Sequence, residues 1–115
     1  MRLAFKWKDK DGRSYKLGEL SKNNNTYYFS INEQNLKEAI KHGCMGIGSF
    51  DLLRDTYVSN NLFTFFKNRI PSKDNSDIEE ILKEYNIDSY DEMELLKKTK
   101  ARKMKDRYFI EEIKK

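Results

Sequence analysis

His42 and Cys44 stand two positions apart and are the only histidine and cysteine of the chain. An imidazole close to a thiol holds the ingredients of nucleophilic catalysis, but such a pair works only with an orienting group and an oxyanion hole, and no spacing here identifies either. A soft-metal tetrad would need further histidines or cysteines, which the chain lacks. Cys44 therefore reads as an inert small side chain beside a helix end, and His42 as a surface or C-cap group available to a partner. Asp51 and Asp55 are suited to a hard cation, yet no EF-hand spacing accompanies them. Gly43, Gly46 and Gly48 have the look of a phosphate loop without the Walker A spacing or the Gly-x-Gly-x-x-Gly pattern, so loop or bulge geometry is their reading. Asp77, Glu79, Glu80, Glu84, Glu92 and Glu94 form no specific dyad and suit helix capping and solvation. The expectation is a protein without catalytic residues, metal or cofactor.

Two other stretches carry binding chemistry. Residues 97–107, Lys-Lys-Thr-Lys-Ala-Arg-Lys-Met-Lys-Asp-Arg, hold seven cations in eleven positions. Lys100, Arg102, Lys103 and Arg107 in that run can attract phosphate or an acidic protein face, or form a solvated or intramolecular surface. Leu62-Phe63-Thr64-Phe65-Phe66 is the densest apolar segment. Its rings read first as core, with Phe63 or Phe66 as the alternative anchors of an intermolecular contact. Arg69 and Lys73 beside it are candidates for steering a partner.

These residues must be positioned by a chain of 115 residues, short enough for one domain spanning 1–115. Residues 1–58 read mainly as strands and loops, 59–98 mainly as helices, and 99–115 as a basic closing segment. Leu3, Phe5 and Trp7 alternate with polar positions, as in a half-buried strand. Asp11-Gly12 and Asn23-Asn24-Asn25 punctuate two further strands, through Tyr15 and Leu17 and over Thr26–Ile31, with Gly18 as a bulge or turn. Asn32 caps a predicted helix to about Lys41 with Leu36, Ala39 and Ile40 on one face. A second is expected from Ser59 or Asn60 to near Arg69, ahead of Pro71. Ser76-x-x-Glu79 and Ser89-x-x-Glu92 look like capping boxes that open a helical hairpin over 76–98. Tyr108, Ile110 and Ile113 form a closing strand or a folded-back tail. The fold class expected is α+β: a small N-terminal antiparallel sheet or partly open barrel packed with helices, then the hairpin.

Charge is segregated along this plan. Residues 76–96 carry one basic and eight acidic side chains, and residues 97–115 carry nine and three. With no long apolar run, no apolar segment behind Met1 and one cysteine, the expectation is a cytoplasmic protein without a membrane span or disulfide.

The segment Leu62-Phe63-Thr64-Phe65-Phe66-Lys67-Asn68-Arg69-Ile70-Pro71 resembles the Phe-rich motif of the HipA N-terminal-domain-like family. Tyr15-Lys16-Leu17-Gly18-Glu19-Leu20 and Tyr27-Tyr28-Phe29 are similar to its opening strands, so that the likeness covers about residues 3–72. Ser76–Tyr85, Asp91–Leu96 and Thr99-x-x-Arg102-x-x-x-Asp106 resemble a helical extension and basic turn found in a subgroup. The resemblance implies a small β-rich unit without a kinase catalytic domain that binds and restrains a separate HipA-like kinase, as stand-alone units do in three-component toxin–antitoxin systems. After the proline such inhibitors carry Glu-Gly-Trp where this chain has Ser72-Lys73-Asp74, and its one tryptophan is Trp7. Their aromatic insertion at the kinase site therefore has no counterpart here. Two other roles fit the same residues: a nucleic-acid-associated accessory protein using residues 97–107, and a phage or mobile-element inhibitor of a host defence protein.

Overall fold

The computed structural model describes residues 1–48, 50, 56–103 and 106–114. Strand β1 (Arg2–Lys8) turns sharply into β2 (Ser14–Asn23), and β2 into β3 (Thr26–Ile31), which gives the expected antiparallel meander. Its alternation has a physical result. Leu3, Phe5, Leu17, Leu20 and Phe29 are fully buried on one side, while ion pairs of Arg2 and Lys16 with Glu19 lace the other.

The first turn is built by Asp9. Its carboxylate accepts hydrogen bonds from the amides of Asp11 and Arg13 and from the Tyr15 hydroxyl, and Gly12 supplies the positive φ of 88°. Burial of Asp9 pushes its carboxyl up, but these hydrogen bonds win and hold it below the ordinary value. Gly18 lies at the expected bulge: Phe5 pairs with Gly18 but Lys6 with Lys16, leaving Leu17 as the extra residue. A Cβ at Gly18 would sit 2.3 Å from the Ser30 carbonyl oxygen, so close approach of β3 requires glycine there.

Helix α1 (Glu33–Lys41) starts where Asn32 accepts the Asn35 amide. It buries Leu36 and Ala39, whereas Ile40, expected on the same face, is exposed. Strand β4 (Thr56–Ser59) pairs with β3, and β5 (Tyr108–Glu112) pairs with β1. The result is a five-stranded antiparallel sheet in the order β4-β3-β2-β1-β5. It is an open sheet and not a barrel, because β4 and β5 lie at opposite edges.

The Phe-rich segment departs from its expected helix. Ser59 ends a strand, Phe63 is extended, and helix α2 covers only Thr64–Lys67. One long helix would spread four large apolar side chains around its circumference. The break instead sends Phe66 into the core, edge-on to Phe5 and Phe29 at 5.2 and 5.0 Å, while Phe63 and Phe65 remain half-buried.

Helices α3 (Ile78–Glu84) and α4 (Glu92–Thr99) both form, but neither uses its expected capping box. Asn75 accepts the Asp77 amide ahead of α3, and Asp91 accepts the Glu94 amide to cap α4. Helix α3 starts two residues beyond its predicted cap Ser76, and α4 three beyond Ser89. Asn86 ends the first with a left-handed φ of 59°. The Lys98 ammonium donates to the Tyr85 and Asn86 carbonyls, which ties the second helix to the end of the first. Met93, Leu95 and Leu96 join the sheet's core. Among the described residues no helix is long and apolar enough to cross a membrane.

Candidate functional site

A groove of about 760 Å³ opens where the β2–β3 turn, the segment after α2 and the start of α4 meet. Lys22 enters it from β2, with its ammonium 5.2 Å from the centre of the Tyr27 ring. Lys67 and Asn68 enter from the end of α2, and Lys73 and Asp74 follow Pro71 on the same wall. Tyr90, Asp91 and Glu92 form the opposite wall.

The tyrosine hydroxyls here serve the scaffold. Tyr27 donates to Glu92 at 2.8 Å, and Tyr90 donates to the Pro71 carbonyl at 2.7 Å. Burial, and then the hydrogen bond to Glu92, push the Tyr27 phenol well above its ordinary value. Tyr90 is raised by burial and by the charges of Glu92 and Asp74. Both phenols are thus neutral donors at physiological pH. Lys22, Lys67 and Lys73 have no carboxylate within ion-pair distance among the described residues. The groove therefore offers the ammonium groups of Lys22, Lys67 and Lys73 together with the carboxylates of Asp74, Asp91 and Glu92. That chemistry suits recognition of a surface bearing both charges.

The residues singled out from sequence are divided among several places. Phe63 packs against Phe29 and Phe50 away from the groove. Phe66 is fully buried, so its reading as a partner anchor is corrected to core. Arg69 is corrected in the same way. Its guanidinium reaches the Asp106 carboxylate through two bonds of 2.8 Å, the Ala101 carbonyl at 2.6 Å and the Tyr108 carbonyl at 3.2 Å. Two rings, Phe65 and Tyr108, lie against it. The Arg69 guanidinium holds the Asp106 carboxyl below its ordinary value. Arg69 is a buried clamp on the closing segment. Lys73 alone of the candidates lines the groove.

Lys97 pairs with Glu94, Lys98 binds backbone carbonyls, and Lys100 is exposed at the end of α4. Arg102, Lys103 and Arg107 gather elsewhere, around Phe109. Lys22, Tyr27 and Tyr90 were not legible as site residues, since a strand lysine, a buried strand tyrosine and a half-buried loop tyrosine carry no distinguishing pattern.

His42 caps α1, its Nδ1 within 2.9 Å of the Glu38 carbonyl and its ring stacked on Tyr15. Cys44 is buried 3.7 Å from the Tyr108 hydroxyl, which itself donates to the Gly46 carbonyl. Asp51 and Asp55 lie outside the described residues, and among the described residues no cluster of three metal-ligating side chains occurs.

No protein-family model matches the chain, and a search of curated proteins finds no significant match.

Proposed function

We propose that this protein is a non-catalytic, protein-binding regulator, and that it acts as an antitoxin-like partner of a HipA-related kinase. The observation that carries the reading is where the most distinctive sequence feature ends. The segment 62–71 that resembles the HipA N-terminal-like family runs directly into the wall of the groove, contributing Lys67, Asn68 and Ile70, with Lys73 just beyond. The structural part of the motif, Phe66 and Arg69, is buried, and the part left at the surface lies beside unpaired ammonium groups and tyrosine rings. Charge of both signs beside the half-buried Tyr90 ring favours selection of a protein face by complementarity.

The test is titration of the purified protein into a purified HipA-related kinase, with phosphotransfer measured in parallel. Saturable binding that lowers phosphotransfer, and that weakens about tenfold, or about 1.4 kcal/mol, in Lys67→Gln/Lys73→Gln, is the expected result. Absence of binding to such kinases removes the kinase assignment. Binding that the double substitution leaves unchanged removes the groove.

A further inference from the structure

The second concave surface lies at the other end of the molecule, where Arg102, Lys103 and residues 106–109 lie beside the end of β1. It is a shallow notch of about 280 Å³ lined by Lys8, Arg102, Lys103, Asp106, Arg107 and the pair Tyr108 and Phe109. Lys8 joins the three cations of the closing segment from the other end of the chain. Its ammonium and the Arg102 guanidinium lie 5.6 and 5.7 Å from the centre of the same Phe109 ring. That ring fixes the two charges on one small patch.

The nearby carboxylates are already engaged. Asp106 is held by both terminal nitrogens of Arg69, and Glu111 accepts from Lys6 at 2.7 Å. Among the described residues none of Lys8, Arg102, Lys103 and Arg107 has an ion-pair partner. Arg107 spends one N–H on the Asp9 carbonyl, which holds its guanidinium against the hairpin turn. The fold thus assembles four cations at one place, and the carboxylate that lines the notch with them, Asp106, is bonded to Arg69. The adjoining hollow shares Arg107 and adds Lys10 and His42.

We infer that this notch binds the phosphate backbone of nucleic acid, through charge and without reading sequence. The lining decides between this and an acidic protein. A protein interface draws most of its energy from aromatic and Arg anchors seated in desolvated pockets, whereas this notch is shallow, Phe109 is only 7% exposed beneath the cations that cover it, and the Tyr108 ring is taken up by stacking on Phe5, with its hydroxyl on the Gly46 carbonyl. Backbone binding needs no anchor, because each neutralised phosphate releases condensed counterions. The same burial of Phe109 excludes base stacking on its face, which removes the usual route to a preference for single strands. The inference is independent of the groove, with which the notch shares no residue.

Fluorescence anisotropy with a labelled DNA duplex of arbitrary sequence tests it, across salt from about 50 to 200 mM. A labelled polyglutamate peptide serves as the acidic-protein probe. Duplex binding that weakens steeply with salt is expected. K8Q/R102Q/K103Q should cut low-salt affinity at least tenfold and reduce the slope of log K against log salt by about 3, one counterion-release increment per lost contact. Lys103→Gln alone, an exposed side chain without a structural bond, should lower the slope by about 1 in an undisturbed fold. Three outcomes overturn the inference: no duplex binding at low salt, a slope unchanged by both variants, or polyglutamate bound as tightly as the duplex.

Discussion

The meander of β1, β2 and β3 and the closing segment after α4 border the same sheet but are held by different means. In the meander each strand pairs with its sequence neighbour, and the turns are built from residues within them, Asp9 in one and Asn24 in the other. The closing segment has fewer local bonds, the Thr99 hydroxyl accepting the Ala101 amide and the Asp106 carboxylate accepting the Tyr108 amide. It leaves α4 through Lys100 and Ala101, consecutive residues in left-handed conformation at φ 60° and 52°, although neither is glycine. The turn persists because Arg69, over thirty residues away, binds the Ala101 carbonyl, while the Ile110 amide binds that of Lys100. One region is specified by its own residues, the other by a clamp that arrives from outside.

Breaking the clamp should have the largest effect. Arg69→Ala leaves Asp106 and two carbonyls without their donor and should cost about 3 kcal/mol in denaturant unfolding. Hydrogen exchange should accelerate in β5 more than in β2 and β3; uniform acceleration would mean that the two regions are not separable. Gly18→Ala is the corresponding break inside the meander. The new methyl meets backbone, which cannot swing aside as a side chain can, and a loss of about 2 kcal/mol is expected, with β2–β3 amides affected first.

A smaller effect comes from acid. Because Asp106 is held below its ordinary value of 3.8, its contribution is complete above that pH and disappears as pH falls through the depressed value. Stability of the native protein should therefore decline in that range. Asp106→Asn should remove this part of the acid limb, and an identical limb in both proteins would assign the decline to other carboxylates, among them Glu19 and Glu111, which lysine and arginine partners also hold low. The smallest effect is a gain. Lys100→Gly relieves a left-handed residue whose side chain is exposed, and should add about 0.5–1 kcal/mol.

This contrast also explains what was legible in the sequence. Period-two alternation and turn residues located the meander, and Asn32 located α1, because those signals act within a few residues of their effect. The short α2 was missed because its limits depend on how Phe63, Phe65 and Phe66 divide between packing directions, a property of the assembled core. Asp91 rather than Ser89 caps α4, two residues further on, and ahead of α3 it is Asn75 and not Ser76 that accepts an amide, because several neighbouring residues can offer the same kind of oxygen. Arg69 read as a surface cation because nothing local marks its pairing with Asp106, thirty-seven positions later. The sites were least legible of all. Lys73 and the cations of residues 102–107 were visible as charges, but Lys22 and Lys8 became site residues only when distant strands brought them there.

The placement of β5 beside β1 bears on how the chain is made. Leu3 faces Glu112 and Trp7 faces Tyr108, so one edge of β1 waits for a strand about a hundred residues later in the chain. Until β5 has been made that edge displays open amides and carbonyls to any other nascent or unfolded chain. Lys6 and Lys8 lie along it and interrupt its apolar residues with charge, protecting the newborn strand until residues 108–112 cover it.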